Sequence, residues 1–97
     1  MELKDILAAE SSLKKKVKAD LKKSGYVIFS PIGKRSSWPA GYPDCHVIGH
    51  GRSFWIEFKR EYSGTLQKNQ EKTIQLMREN GIEVWVIYSY EDYLDKK

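Results

Sequence analysis

Residues 53–59 alternate without interruption: Phe54, Ile56 and Phe58 fall on one side, and Trp55, Glu57 and Lys59 on the other. A period of two is the signature of a strand with one apolar face and one mixed face. The flanking punctuation constrains the rest. Gly49-His50-Gly51-Arg52 reads as a turn, so the strand predicted over Asp44–Ile48 pairs with 53–59 as a hairpin. Downstream, Ser63-Gly64-Thr65 breaks the chain, and Thr65 is offered as a helix N-cap. Leu66, Thr73, Ile74 and Met77 mark a helix over 65–80 that stops at Asn80-Gly81. Ile82 to Tyr88 reads as a strongly apolar strand, expected at the centre of the sheet. Strand, helix and strand then make a right-handed crossover, with the last strand parallel to the third.

Upstream, Leu3, Ile6, Leu7, Leu13, Val17 and Leu21 recur at helical spacing over 2–23, with Gly25 as the stop. Tyr26 to Phe29 reads as a short strand. Residues 30–43 hold all three prolines and read as a loop long enough to suggest function. Ser89-x-x-Asp92 is a capping-box pattern opening a short last helix, with Tyr93 and Leu94 packing back. The predicted architecture is α/β, an αβββαβ core with a mixed central sheet flanked by helices.

Ninety-seven residues and 40% hydrophobic content suit one small domain, expected to span 1–97 and to be complete. No apolar run is long enough for a transmembrane helix, and no secretory signal precedes the first helix. A single cysteine, Cys45, excludes a disulfide framework and a multi-thiolate zinc site. A cytoplasmic location, in a bacterial or phage-infected cell, is the resulting expectation. The net charge of +4 is unevenly spread: residues 11–60 carry eleven bases against three acids, while both ends are slightly acidic. A basic middle is the footprint of a polyanion partner, although a solvated lysine-rich helix face explains it equally well.

Three placements of polar residues need explaining. On a helical wheel at about 100° per residue, Glu10 falls in the centre of the first helix's apolar stripe, unless the helix breaks at Ser11-Ser12. A hairpin turning on His50-Gly51 sets Asp44 directly opposite Glu57, a like-charge pair that needs an offset. A divalent cation with oxygen ligands supplies one; a different register, or Lys59 acting only as an ion-pair partner, is the alternative. Gln70 lies on the core-facing stripe of the second helix, as a satisfied amide or as part of a site.

Taken together, Gly41-Tyr42-Pro43-Asp44, twelve intervening residues and Glu57-Phe58-Lys59 resemble the PD-(D/E)xK nuclease signature. Gly64 through Gln70, followed by Leu76 through Gly81, looks like the Leu-x-x-x-Gln…Leu…Gly pattern of the virus-type replication-repair nuclease (VRR-NUC) family. The resemblance runs from about Glu10 to Tyr88. It implies a restriction-endonuclease-like fold and a Mg²⁺- or Mn²⁺-dependent DNA endonuclease leaving a 5′-phosphate and a 3′-hydroxyl. It implies that Asp44, Glu57 and the backbone carbonyl of Phe58 ligate metal, and that Glu10 contributes through the metal's water shell or a second ion. Lys59 would act on the attacking water and the charged phosphorane, and Gln70 would orient Lys59 or the water. Stand-alone members look like homodimers acting on branched DNA, including four-way junctions.

The chemistry agrees with those residue types. Hydrolysis of a phosphodiester needs a hydroxide equivalent near neutral pH and positive charge where negative charge develops. Lys34, Arg35, Trp38 and Tyr42 interleave basic and aromatic side chains, a pattern suited to phosphate contacts and base stacking; packing of the two aromatics over the sheet edge is the equal alternative. Arg60 is expected to meet a phosphate. His46 shares the Asp44 face and is expected to pack on Trp55. Cys45 is expected to face the core and to be inert. Trp38, Trp85 and the Tyr90-Tyr93-Leu94 group are candidates for a dimer contact.

Overall fold

The computed structural model describes residues 3–30, 41–59 and 68–97. The elements follow the order α1 (Leu3–Lys23), β1 (Val27–Phe29), β2 (Cys45–Gly49), β3 (Arg52–Phe58), α2 (Lys68–Glu79), β4 (Val84–Ile87) and α3 (Tyr90–Lys96). Helix α1 runs through Ser11-Ser12 without a break, which removes the alternative raised for Glu10. It ends in a closing turn in which Tyr26 N–H donates to Leu21 C=O (3.0 Å) and Gly25 N–H to Lys22 C=O (3.0 Å). Helix α2 ends the same way, with Ile82 N–H on Met77 C=O (2.9 Å) and Gly81 N–H on Arg78 C=O (3.1 Å). Gly81 takes φ +79°, the left-handed geometry this motif demands.

The β2–β3 hairpin turns on His50 (φ 54°) and Gly51 (φ 75°), both left-handed as a type I′ turn requires. Its register pairs Cys45 with Ile56, His46 with Trp55 and Val47 with Phe54. Continued by one residue, this places Asp44 opposite Glu57, as the sequence predicts. Strand β1 pairs antiparallel with β2, and β3 pairs parallel with β4. The sheet is therefore mixed, in the order β1-β2-β3-β4.

That order corrects one expectation. Strand β4 is at the edge of the described sheet and not at its centre. Its apolar run is explained by helices on both faces. Trp85 and Ile87 join the core shared with Val17 and Leu21 of α1 and Tyr93 of α3. Val84 packs on the other face with Ile74 and Met77 of α2. Burial from layers above and below looks, in sequence, the same as burial by neighbouring strands.

Helix α3 opens on Ser89, whose hydroxyl accepts from Asp92 N–H (3.1 Å). Asp92 answers through Tyr88 N–H (3.0 Å), one residue upstream of the usual partner. Tyr93 is fully buried; its hydroxyl donates to Asp20 of α1 (2.6 Å), and Lys97 Nζ reaches the same oxygen (2.6 Å). Burial of Tyr93 and Trp85 also removes both from the candidate dimer surface.

Candidate active site

Strict alternation along β3 puts Phe54, Ile56 and Phe58 into the α1/α3 core and turns Trp55 and Glu57 toward α2. On that side Glu57 is 1% exposed and is the one buried charged residue among those described. Carboxylates are almost never buried without a partner. Gln70, projecting from the first turns of α2, donates its amide N–H to Glu57 Oε2. The same amide accepts from Lys59 Nζ through its oxygen (2.5 Å). Lys59 Nζ stands 3.6 Å from Glu57 Oε2. Gln70 thus bridges the acid and the base, and its place on the apolar stripe is explained by this link.

Asp44 lies immediately before β2, where its Oδ2 accepts from Phe58 N–H (2.8 Å). This bond locks the carboxylate beside Glu57. Burial, followed by the neighbouring Asp44 carboxyl, pushes the Glu57 acid up to about 8. The second Glu57 oxygen, Oε1, is buried and finds no donor among the described residues. A buried carboxyl oxygen without a donor, facing a second carboxyl, is a ligand set short of a cation. Among the described residues no group of three or more His, Cys, Asp and Glu converges as a metal site. Two carboxylates nevertheless fit Mg²⁺ or Mn²⁺, since Mg²⁺ is commonly held by one or two carboxylates with waters and substrate phosphates completing the shell.

The remaining expectations divide. Glu10 lies on α1, but the described side chains begin at Ser12, so its role falls outside them. Lys34, Arg35, Trp38, Arg60 and the Thr65 cap also lie outside the described residues. Tyr42 is 41% exposed and meets Trp55 edge-on at 5.8 Å, so packing and exposure coexist. His46 stacks on Trp55 at 4.3 Å with planes 4° apart, as expected, and burial holds its imidazole below the usual range. Cys45 is fully buried opposite Ile56, and desolvation pushes its thiol up to about 12, which makes it inert. His50 is a turn residue whose Nε2 lies 2.7 Å from Ser24 C=O.

Sequence reasoning passed over Phe29. Its ring is 52% exposed, on the same sheet face as Asp44 and Glu57. Three residues of strand are too short for a period of two to announce which side is covered.

No family model and no curated protein matches the sequence. A solved structure described as a VRR_NUC domain is similar in fold, with a TM-score of 0.73, 23% identity and coverage of 91% of each chain. The chain adopts the VRR-NUC, restriction-endonuclease-like fold. Among the described residues no helix is long and apolar enough to cross a membrane.

Proposed function

We propose that this protein is a divalent-metal-dependent DNA endonuclease that hydrolyses phosphodiester bonds. The observation that carries the reading is the buried Glu57 carboxylate, one oxygen without a donor, beside Asp44 and bridged through Gln70 to Lys59. Such an arrangement is costly for a fold to keep without a use. Asp44 and Glu57 would hold Mg²⁺ or Mn²⁺, with the Phe58 carbonyl as a further ligand and Glu10 contributing through water. The ion, when bound, lowers the pKa of a coordinated water and offsets phosphate charge. Lys59 Nζ, steered by the Gln70 oxygen, supplies positive charge where the phosphate oxygens gain negative charge, and is placed to hold a proton during transfer. Gln70 is a positioning residue: it cannot titrate, and it sets the distance between Lys59 and Glu57.

The substrate proposed is branched DNA, four-way junctions in particular, cut by a homodimer, since a two-fold protein can present two sites to a two-fold junction. Lys34, Arg35 and Arg60 would meet phosphates, and Trp38 and Tyr42 would stack on bases. The support for a polyanion is the excess of positive charge over residues 11–60.

The test is cleavage of a labelled synthetic junction beside linear duplex in Mg²⁺, Mn²⁺ or EDTA, for wild type and Lys59→Ala. Cuts in the junction that vanish in EDTA and fall at least a hundredfold in the variant are expected. Junction binding without cutting in either metal would make the protein a nucleic-acid-binding module on a nuclease fold. Sedimentation showing only monomer at micromolar concentration would end the paired-cut model.

A further inference from the structure

The sheet face that carries Asp44 and Glu57 also carries a row of rings. Phe29 of β1 pairs with His46 of β2, and His46 pairs with Trp55 of β3, so three aromatic side chains cross three strands in one line. The row lies one two-residue step, about 7 Å, along the strands from the carboxylates. His46 and Trp55 lie parallel at 4.3 Å, and Tyr42 closes one side, edge-on to Trp55 at 5.8 Å. Helix α2 covers the β3–β4 half of this face. The β1–β2 half is left with Phe29 at 52%, Val27 at 55% and Ile48 at 41% exposure.

We propose that Phe29 and Tyr42, backed by the His46–Trp55 stack, form a platform that receives an unpaired base of the DNA strand whose phosphate lies at Asp44 and Glu57. The inference rests on the nuclease reading and names the substrate feature that the site selects. Three properties point to a nucleobase as the occupant. The rings are flat and organised, and every base offers a π-face to such a surface regardless of sequence. The platform is continuous with the carboxylates, so a strand lying on one reaches the other. A cation, Lys59, stands on the same face beside Glu57, where the phosphate next to a stacked base would lie. A base inside a duplex has both faces covered by its neighbours, whereas one at a flap, gap or branch can be splayed onto a ring at little cost. The platform therefore converts DNA shape into selectivity without reading sequence.

The experiment uses the full chain in EDTA, where no strand is cut. A synthetic duplex carrying 2-aminopurine in a short unpaired flap is compared with a fully paired duplex of equal length. Binding is expected to quench the 2-aminopurine and to favour the flapped DNA. Phe29→Leu, which keeps an apolar side chain but removes the ring, lowers the ratio of flapped to paired affinity by roughly tenfold, within the range one base–aromatic stack carries. Phe29→Trp retains the ratio, which separates a lost ring from a damaged fold. An unchanged ratio in Phe29→Leu overturns the platform, as does equal affinity of wild type for the two DNAs. A wild-type dimer that Phe29→Leu converts to monomer also overturns it, because the face then belongs to a second copy. Binding is read without cleavage, so the two readings fail separately. Flap preference without metal-dependent cutting leaves the platform standing and removes the nuclease, and cutting without flap preference does the reverse.

Discussion

Glu57 shows how one residue can work against the fold that holds it. Its carboxyl is 1% exposed, has one oxygen without a donor among the described residues and faces a second acid. Whether it is ionised and buried or protonated against its ordinary preference, the metal-free protein loses stability. Glu57→Gln keeps the shape, still accepts from Gln70 and removes the charge. The variant is expected to be more stable than wild type in EDTA by about 1–2 kcal/mol, a rise in melting temperature of roughly 4–16 °C for a chain of this size. Saturating Mn²⁺ should raise the melting temperature of wild type and leave Glu57→Gln unmoved. Calorimetry with and without the ion checks both statements. The pairing of Asp44 with Glu57 was legible from alternation and a two-residue turn, because both are local rules. The Phe58 N–H that fixes Asp44 was not, since it depends on where the hairpin ends in space.

At the level of elements, a carboxylate of α1 adds a polar link to the core packing that joins α1 and α3. Asp20 Oδ2 accepts from Lys97 Nζ and from the buried Tyr93 hydroxyl, and these bonds, Lys97 first, hold its acid below the usual 3.8. A depressed carboxylate contributes stability that is present above its unfolded value and lost as pH falls through the folded one. Asp20→Asn is expected to cost about 1 kcal/mol at pH 7. The gap to wild type should close as pH falls below 3.8, because both chains then lack the charge; urea melts at pH 7 and pH 3 measure it. The Tyr93 phenol is held above its usual range, by burial first and Asp20 second, so its contribution is lost on the alkaline side. At the end of α2, Gly81→Ala forces a side chain into φ +79° and should cost about 1 kcal/mol, read from the same melts. Both helix stops were visible in sequence because a glycine after the last apolar turn has a backbone reason. The cross-helix bond from Asp20 to Tyr93 was not visible, since the two residues are far apart in sequence and nothing local links them.

For the whole molecule, the described helices on both sides of the described four-stranded sheet leave Val27, Phe29 and Ile48 exposed on the β1–β2 half of one face. Positive charge concentrates in residues 11–60, the segment that builds α1, β1, β2 and β3. DNA affinity is therefore expected to fall linearly with the logarithm of salt concentration, by roughly 0.9 of a log unit per log of salt for each phosphate contacted. Anisotropy titrations from 50 to 200 mM salt check it, and a flat response would deny the basic segment a role in binding.

Gln70 joined Asp44, Glu57 and Lys59 only through the family resemblance, whereas sequence alone pointed to the order of elements, to a turn that sets Asp44 opposite Glu57 with Lys59 on the same face, and to both helix stops. Each follows from periodicity, a turn or a spacing, and those are properties of the backbone within reach of a few residues. Only the tertiary structure decided that β4 lies at the edge, that Trp85 and Tyr93 are core, that Gln70 bridges Lys59 to Glu57, and that Phe29 is left open. These depend on which layer covers which face. Burial by a helix and burial by a neighbouring strand select the same apolar side chains, so the distinction is made only when the layers are packed.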